Sequence, residues 1–139
     1  MQRLNKFLIA KAMLETLFVG ALAMGFYLAA FPPFFRGALD EAIAAGVAGW
    51  AVNEAAPQER VALQLYIDGR FIAHTVADKA RPDVLAAGRA TDELCGFVFR
   101  GPFTLDAGTH EARVYALHAS GDGTRQTLQL IGKPLNFQQ

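Results

Sequence analysis

The hydrophobic and polar positions divide the chain into two regions with different periods. From Thr16 to Phe35 the sequence TLFVGALAMGFYLAAFPPFF contains no charged residue. An α-helix rises about 1.5 Å per residue and the hydrocarbon core of a bilayer is about 30 Å thick, so this stretch is long enough to cross a membrane. The pattern predicts one transmembrane helix, contained in residues 1–35.

Two other interpretations of the apolar stretch are less consistent with its residues. A cleavable secretory signal has an apolar segment of about 7–15 residues before a small-residue cleavage site. This stretch is longer and ends in the bulky sequence FPPFFR. A buried core helix usually has a polar stripe, and residues 16–31 have almost none. Pro32 and Pro33 predict that the helix ends near Phe31.

Basic residues flank the apolar stretch unevenly. Arg3, Lys6 and Lys11 precede it, whereas only Arg36 follows it closely. Because cytoplasmic flanks are enriched in Lys and Arg, we expect the N-terminus to lie in the cytoplasm. The rest of the chain would then lie on the periplasmic side of a bacterial inner membrane.

Small residues form a ridge on the predicted helix. Ala21, Gly25 and Ala29 recur at every fourth position and therefore lie on one helical face. Small side chains allow a second helix to approach closely, so the ridge predicts a packing interface with another subunit. The alternative is that Ala and Gly are simply common in membrane helices.

Residues 36–48, RGALDEAIAAGVA, separate the apolar stretch from the rest of the chain. The segment is rich in alanine, which favours a short surface helix, and its glycines limit the length of that helix. We expect a linker near the membrane surface. The globular domain would then comprise residues 49–139.

Alternating patterns begin after the predicted linker. In Val61–Ile67 the large aliphatic residues fall on odd positions, which predicts a strand with one buried face. The following Asp68-Gly69 predicts a tight hairpin turn. Similar segments follow at 71–76, 96–99, 110–118 and 124–131, with a turn at 120–123.

One segment interrupts the strands. In ARPDVLAAG, residues 80–88, proline can occupy the first helical position and Gly88 can end the helix. Strands at intervals of roughly ten residues indicate an antiparallel sandwich. The predicted fold is therefore one N-terminal transmembrane helix followed by an all-β, immunoglobulin-like sandwich with one short helix.

Composition excludes some classes of function. The 13 basic and 13 acidic residues give a formal net charge of zero, so no broad attraction to nucleic acid is expected. The single cysteine, Cys95, excludes an internal disulfide framework. Because it lies beside the apolar FVF sequence, we expect it to be buried rather than reactive.

The chain contains no recognisable catalytic pattern. Its three histidines, His74, His110 and His118, lack the spacing of metal ligands, and we expect them to be solvated or capping residues. Nucleophile-elbow, phosphate-loop and dinucleotide-binding motifs are missing from the sequence. We therefore expect a protein that is not an enzyme, with no catalytic, cofactor or metal site.

Several polar and aromatic residues are candidates for a ligand or partner surface. Asp78, Arg81 and Asp83 form the densest polar group, which an ion pair and helix capping also explain. Trp50 and Tyr66 could stack on a sugar ring while carboxylates and Arg bind its hydroxyls. For Trp50 the alternative is core packing.

The order of motifs resembles a known module. GWAVN, VALQLYIDGRFIAHTVADKARPDVLAAG, CGFVF, a proline and DAGTHEARVYA follow one another along the chain. This order resembles a small bacterial β-sandwich module often found beside glycosyltransferase domains in cell-envelope polysaccharide proteins. The resemblance covers about residues 49–118, with departures at Asn53 and at Asp106-Ala107-Gly108. It implies a β-sandwich and no catalytic residues.

Two functions follow from these observations. The first is a non-catalytic, single-pass accessory subunit of a larger bacterial membrane complex, whether respiratory, photosynthetic, transport or synthase. Its partners would be other membrane subunits and the lipid bilayer. The alternative is a membrane-anchored carbohydrate-binding module for envelope polysaccharide. The small-residue ridge and the lack of catalytic motifs favour the accessory subunit.

Overall fold

The computed structural model describes residues 2–30, 34–119 and 123–139, with side chains from residue 5 to residue 27 of the N-terminal helix. The chain forms two compact units, Met1–Pro33 and Phe34–Gln139. The predicted turn at 120–123 lies outside the described residues except for its last glycine.

The first unit is helix α1, Gln2–Ala30. Its segment Asn5–Tyr27 has a mean hydropathy of 1.8 and exposes every side chain, and it is long and apolar enough to cross a membrane. Lys11 Nζ and Glu15 Oε1 lie 3.6 Å apart, one helical turn from each other. The predicted helix end at residues 31–33 lies outside the described residues. The predicted N-terminal apolar helix is confirmed.

The described part of the second unit forms nine strands and one short helix. They are β1 Phe35–Ile43, β2 Gly46–Asn53, β3 Ala62–Ile67, β4 Arg70–Val76, β5 Lys79–Ala80, α2 Pro82–Ala86, β6 Leu94–Arg100, β7 Thr109–Ala119, β8 Gln126–Leu130 and β9 Leu135–Gln138.

The strands form two antiparallel sheets. The first sheet has the order β1-β2-β6-β5. The second has the order β4-β3-β7-β8, and β9 pairs with the first residues of β7. Side chains from both sheets form one main core, which contains Leu63, Leu65 and Val114 from the second sheet and Val47 and Phe97 from the first. The predicted antiparallel sandwich is confirmed.

The prediction of a linker over residues 36–48 is wrong. Most of this segment is strand β1, which pairs with β2 from Phe35 opposite Asn53 to Ile43 opposite Gly46. Phe35 and Leu39 are each only 9% exposed and belong to the main core. The alanines favour a helix locally, but pairing with β2 satisfies the backbone hydrogen bonds and buries these two side chains. The domain therefore begins at Phe34.

Strand β2 is buried on both faces. Val47 and Ala51 point into the main core, whereas Trp50 belongs to a second, smaller core. That smaller core also contains Val84 of α2 and Cys95 of β6. Both faces need apolar residues, which explains why the sequence GVAGWAV is hydrophobic without alternation.

Two local predictions are confirmed by the backbone. Asp68 and Gly69 have φ angles of +51° and +76°, and they connect β3 to β4 as a tight hairpin turn. Helix α2 starts at Pro82 and is followed by Gly88 at φ +67°, as the sequence predicted.

The role of β1 as a core strand can be tested by truncating its buried leucine. We expect Leu39→Ala to lower the free energy of unfolding by about 2–5 kcal/mol, because it leaves a cavity in the main core. Ile43→Ala is the matched control, since Ile43 lies in the same strand and is 45% exposed; its effect should be below about 1 kcal/mol. Urea unfolding of the full chain in micelles, followed by fluorescence of the single tryptophan, measures both. Equally small effects would contradict the assignment.

Candidate functional site

Three aromatic side chains lie together on the outer face of the second sheet. Leu65, Val114 and their neighbours point into the core, so Tyr66 and Tyr115 point outward by strand alternation. The ring centroid of Tyr66 lies 5.7 Å from that of Phe71 and 5.3 Å from that of Tyr115, both edge to face. Phe71 is 52% exposed. We name Tyr66, Phe71 and Tyr115 the aromatic face.

The hairpin between β3 and β4 creates this arrangement. The register shifts by one residue, so that Leu65 pairs with Ala73 while Tyr66 pairs with Phe71. The extra residue, Ile72, packs against the main core. The bulge therefore turns Phe71 outward beside Tyr66 while keeping an apolar residue inside.

Polar side chains surround the aromatic rings. The Tyr66 hydroxyl donates to Gln64 Oε1 at 3.2 Å, and Gln64 lies opposite Tyr115 in the neighbouring strand. Arg113, opposite Tyr66, donates from Nε to Glu111 Oε1 at 2.6 Å. The pKa of Arg113 is raised by its hydrogen bonds to Glu111 and then Tyr115. Glu111 thus compensates the charge of Arg113 beside the aromatic face.

Strand β8 extends the apolar surface beyond the aromatic face. Leu130 pairs with Tyr115 and Leu128 pairs with Leu117, and both β8 leucines are exposed. The outer side of the second sheet thus combines exposed apolar atoms with hydrogen-bonding groups. This combination is suited to binding a protein surface or a carbohydrate.

Of the polar group predicted from Asp78, Arg81 and Asp83, only Arg81 and Asp83 contact each other. Arg81 donates to both carboxylate oxygens of Asp83, at 2.8 and 2.7 Å, and from Nη1 to Asp40 Oδ2 at 2.6 Å. Asp78 instead pairs with Lys79 at 2.8 Å. The hydrogen bond from Arg81 lowers the pKa of Asp83 to about 2. The group is thus an ion-pair bridge between β1 and α2, and Asp40 was missed because it lies in the segment predicted as a linker.

Trp50 and Cys95 are interior residues. Trp50 is 4% exposed and lies in the smaller core, which agrees with the core-packing alternative and removes it from the candidate surface. Cys95 is a buried free thiol, and burial raises its pKa. Of the two predicted sugar-stacking residues, only Tyr66 reaches the surface.

The three histidines have different environments. His74 is exposed on β4, and the ring of His118 stacks on that of Phe34 with centroids 4.3 Å apart. His110 is buried, with Nδ1 2.6 Å from Asp68 Oδ2 and Nε2 2.7 Å from the carbonyl oxygen of Asp106. Across the described ranges 2–30, 34–119 and 123–139, no three His, Cys, Asp or Glu side chains are placed to hold a metal ion.

A cavity of about 180 Å³ lies near the start of the second unit. Arg36 lines it, and its Nε is 3.1 Å from Glu54 Oε1 while its Nη2 donates to the carbonyl oxygen of Arg89 at 2.6 Å. Asn53, Gly88 and Thr91 complete much of the lining. Because Arg36 already bonds to Glu54 and Arg89 of the same chain, this cavity is a weaker candidate binding site than the aromatic face.

The small-residue ridge is exposed as far as the described side chains extend. A groove on the helix surface is lined by Ala21, Leu22, Gly25 and Phe26. A Cβ atom added at Gly25 would have no heavy atom within 4 Å. The third predicted ridge residue, Ala29, lies beyond the described side chains.

Neither models of known protein families nor curated protein sequences match this chain. The functional assignment therefore rests on the geometry described above.

The Arg81 bridge predicts a specific dependence of stability on pH. The folded pKa of Asp83 is lowered, so its contribution is present above the unfolded value of 3.8 and is lost as the pH falls towards about 2. Between these pH values the wild type should lose more thermal stability than Asp83→Asn. Thermal unfolding of the full chain at several pH values measures this difference. Asp78→Asn is the matched control and should behave as wild type; an identical acid response in Asp83→Asn would contradict the bridge.

Proposed function

We propose that this protein is a non-catalytic, single-pass accessory subunit of a larger membrane complex. The observation that carries the proposal is helix α1, whose segment Asn5–Tyr27 exposes apolar side chains on every side. Such a surface requires lipid or other apolar helices around it. The adjoining sandwich adds a folded domain outside the bilayer.

The flanking charges support an orientation. Arg3, Lys6 and Lys11 precede the apolar stretch, which favours a cytoplasmic N-terminus and a periplasmic sandwich. The first strand begins at Phe35, only five residues after the last helical residue. In this orientation the sandwich would be available to the periplasmic parts of the partner subunits.

The ridge of Ala21 and Gly25 is the proposed contact for a partner helix. Bilayer lipid offers little hydrophobic drive for helices to associate, so close packing at small residues supplies much of the attraction. The space beside Gly25 is compatible with the backbone of another helix at short distance.

Replacing the ridge glycine tests the helix contact. We expect Gly25→Ile to release the chain from its complex, because the larger side chain separates the two helices. Gly20→Ile is the matched control: it adds the same side chain where a Cβ also has open space, about 140° away around the helix. Analytical ultracentrifugation after mild detergent extraction would show wild type and Gly20→Ile in a large assembly, with Gly25→Ile as a single 15.0 kDa chain. Wild type sedimenting as a single chain or as a homodimer would contradict the proposal.

A second candidate function is binding of envelope carbohydrate by the sandwich. The aromatic face favours it, because aromatic rings stack on the apolar faces of sugar rings while amide, guanidinium and carboxylate groups bind hydroxyls. Gln64, Arg113 and Glu111 stand beside the rings, and the Arg113 charge is paired. An open sheet face with compensated charge suits a neutral, extended glycan. The resemblance to modules of polysaccharide proteins is consistent with this use.

Glycan binding can be measured with aromatic-face variants. We expect Phe71→Ala and Tyr66→Ala to weaken binding roughly five- to tenfold, since an aromatic contact is worth about 1 kcal/mol. Val98→Ala is the control, because Val98 is exposed on β6 of the other sheet. Affinity electrophoresis through gels containing neutral polysaccharides, in a detergent without sugar headgroups, measures retention of the full chain. No retention of wild type, or equal loss in Val98→Ala, would contradict carbohydrate binding.

A further inference from the structure

His110 makes two hydrogen bonds that a neutral imidazole cannot make together. Its Nδ1 faces a carboxylate oxygen of Asp68 at 2.6 Å, and its Nε2 faces the Asp106 carbonyl at 2.7 Å. Both partners are acceptors, so both ring nitrogens must carry a proton. The neutral ring has only one N–H and would point a lone pair at one of the two oxygens.

The carboxylate of Asp68 is held in its ionised form. Its second oxygen, Oδ1, accepts the backbone N–H of Glu111 at 2.9 Å. The hydrogen bond from His110 and this backbone bond lower the pKa of Asp68, with a smaller contribution from the charge of Arg70. The shared proton therefore stays on the imidazole, and the pair is an imidazolium and a carboxylate.

The pair joins three separate segments at one end of the sandwich. Asp68 is in the β3–β4 turn, Asp106 is in the loop of residues 101–108, and His110 is on β7. The ring of His110 also contacts Phe137 of β9, with centroids 5.8 Å apart. Beside it, the backbones of Gly108 and Gln139 exchange hydrogen bonds of 3.0 and 3.2 Å.

We propose that His110 is a proton-dependent latch that holds residues 106–108, the end of the loop before β7, on the second sheet and releases them when the imidazolium loses a proton. The remaining N–H stays on Nδ1, where the carboxylate of Asp68 is the stronger acceptor. The bond from Nε2 to the Asp106 carbonyl is the one that breaks. Residues 106–108 and the contact of Gly108 with Gln139 then open, while Phe103 keeps the first part of the loop in the main core.

The direction of the pH effect follows from the charges around the ring. Asp68 and the carbonyl and charge of Asp106 raise the pKa of His110, while its burial opposes them. Stability from a raised histidine pKa is fully present below the unfolded value of 6.5 and is lost as the pH rises through the folded value. The charge of Arg70 acts on Asp68, the backbone N–H of Glu111 donates to the same carboxylate, and Phe137 is the apolar neighbour on β9. The latch is therefore closed below the unfolded value of 6.5 and opens as the pH rises through the raised pKa of His110.

Amide hydrogen exchange of the full chain in micelles tests the latch. Exchange in residues 106–109, corrected for intrinsic rates, should accelerate by about tenfold per pH unit above the folded pKa of His110. In His110→Gln these residues should exchange rapidly, and their corrected exchange rate should not depend on pH. In Asp68→Asn the acceleration of exchange should begin at a lower pH. His74→Gln removes an exposed imidazole from β4 and should match wild type.

Two results would overturn the latch. One is corrected exchange of residues 106–109 that stays constant in wild type up to about pH 10. The other is an exchange rate that begins to rise at the same pH in Asp68→Asn as in wild type. This variant retains the imidazole, so it still tests the latch if His110→Gln fails to fold. Nitrogen NMR of the His110 ring gives an independent measurement, since both nitrogens should be protonated below pH 6.5 and one should lose its proton over the pH range in which exchange accelerates.

Discussion

The sandwich depends on the burial of strand β2 on both of its faces. Val47 and Ala51 contribute to the main core, while Trp50 packs with Val84 of α2 in the smaller core. Gly49 has no room for a side chain, because an added Cβ would collide with the Ala38 carbonyl and the Phe97 ring. Strands β1 and β6 pair with the two edges of β2. The second sheet covers one face of β2, and α2 covers the other. These contacts determine the arrangement of the domain.

The two sheets serve different purposes. The first is covered by α2, and the ion pairs of Arg81 with Asp40 and Asp83 fix that cover to β1. The second leaves its aromatic face exposed among the described residues, with Phe71 more than half accessible. Arg81 and Asp83, which the sequence offered as part of a candidate site, therefore stabilise the fold instead. Of the two sheets, the second therefore offers its aromatic face to a ligand or partner.

Local residue patterns by themselves determined the apolar helix, the β3–β4 hairpin, helix α2 and the alternating strands. Each of these depends on backbone preferences or burial within a few neighbouring residues. Tertiary structure alone decided that most of residues 36–48 form strand β1 rather than a linker, because their alanine-rich sequence favours a helix until β2 supplies a partner. It also decided that Trp50 is internal while Tyr66 is partly exposed, since alternation does not say which faces another element covers. The contact of Arg81 with Asp40 likewise joins residues 41 positions apart, and no local pattern reports such a distance.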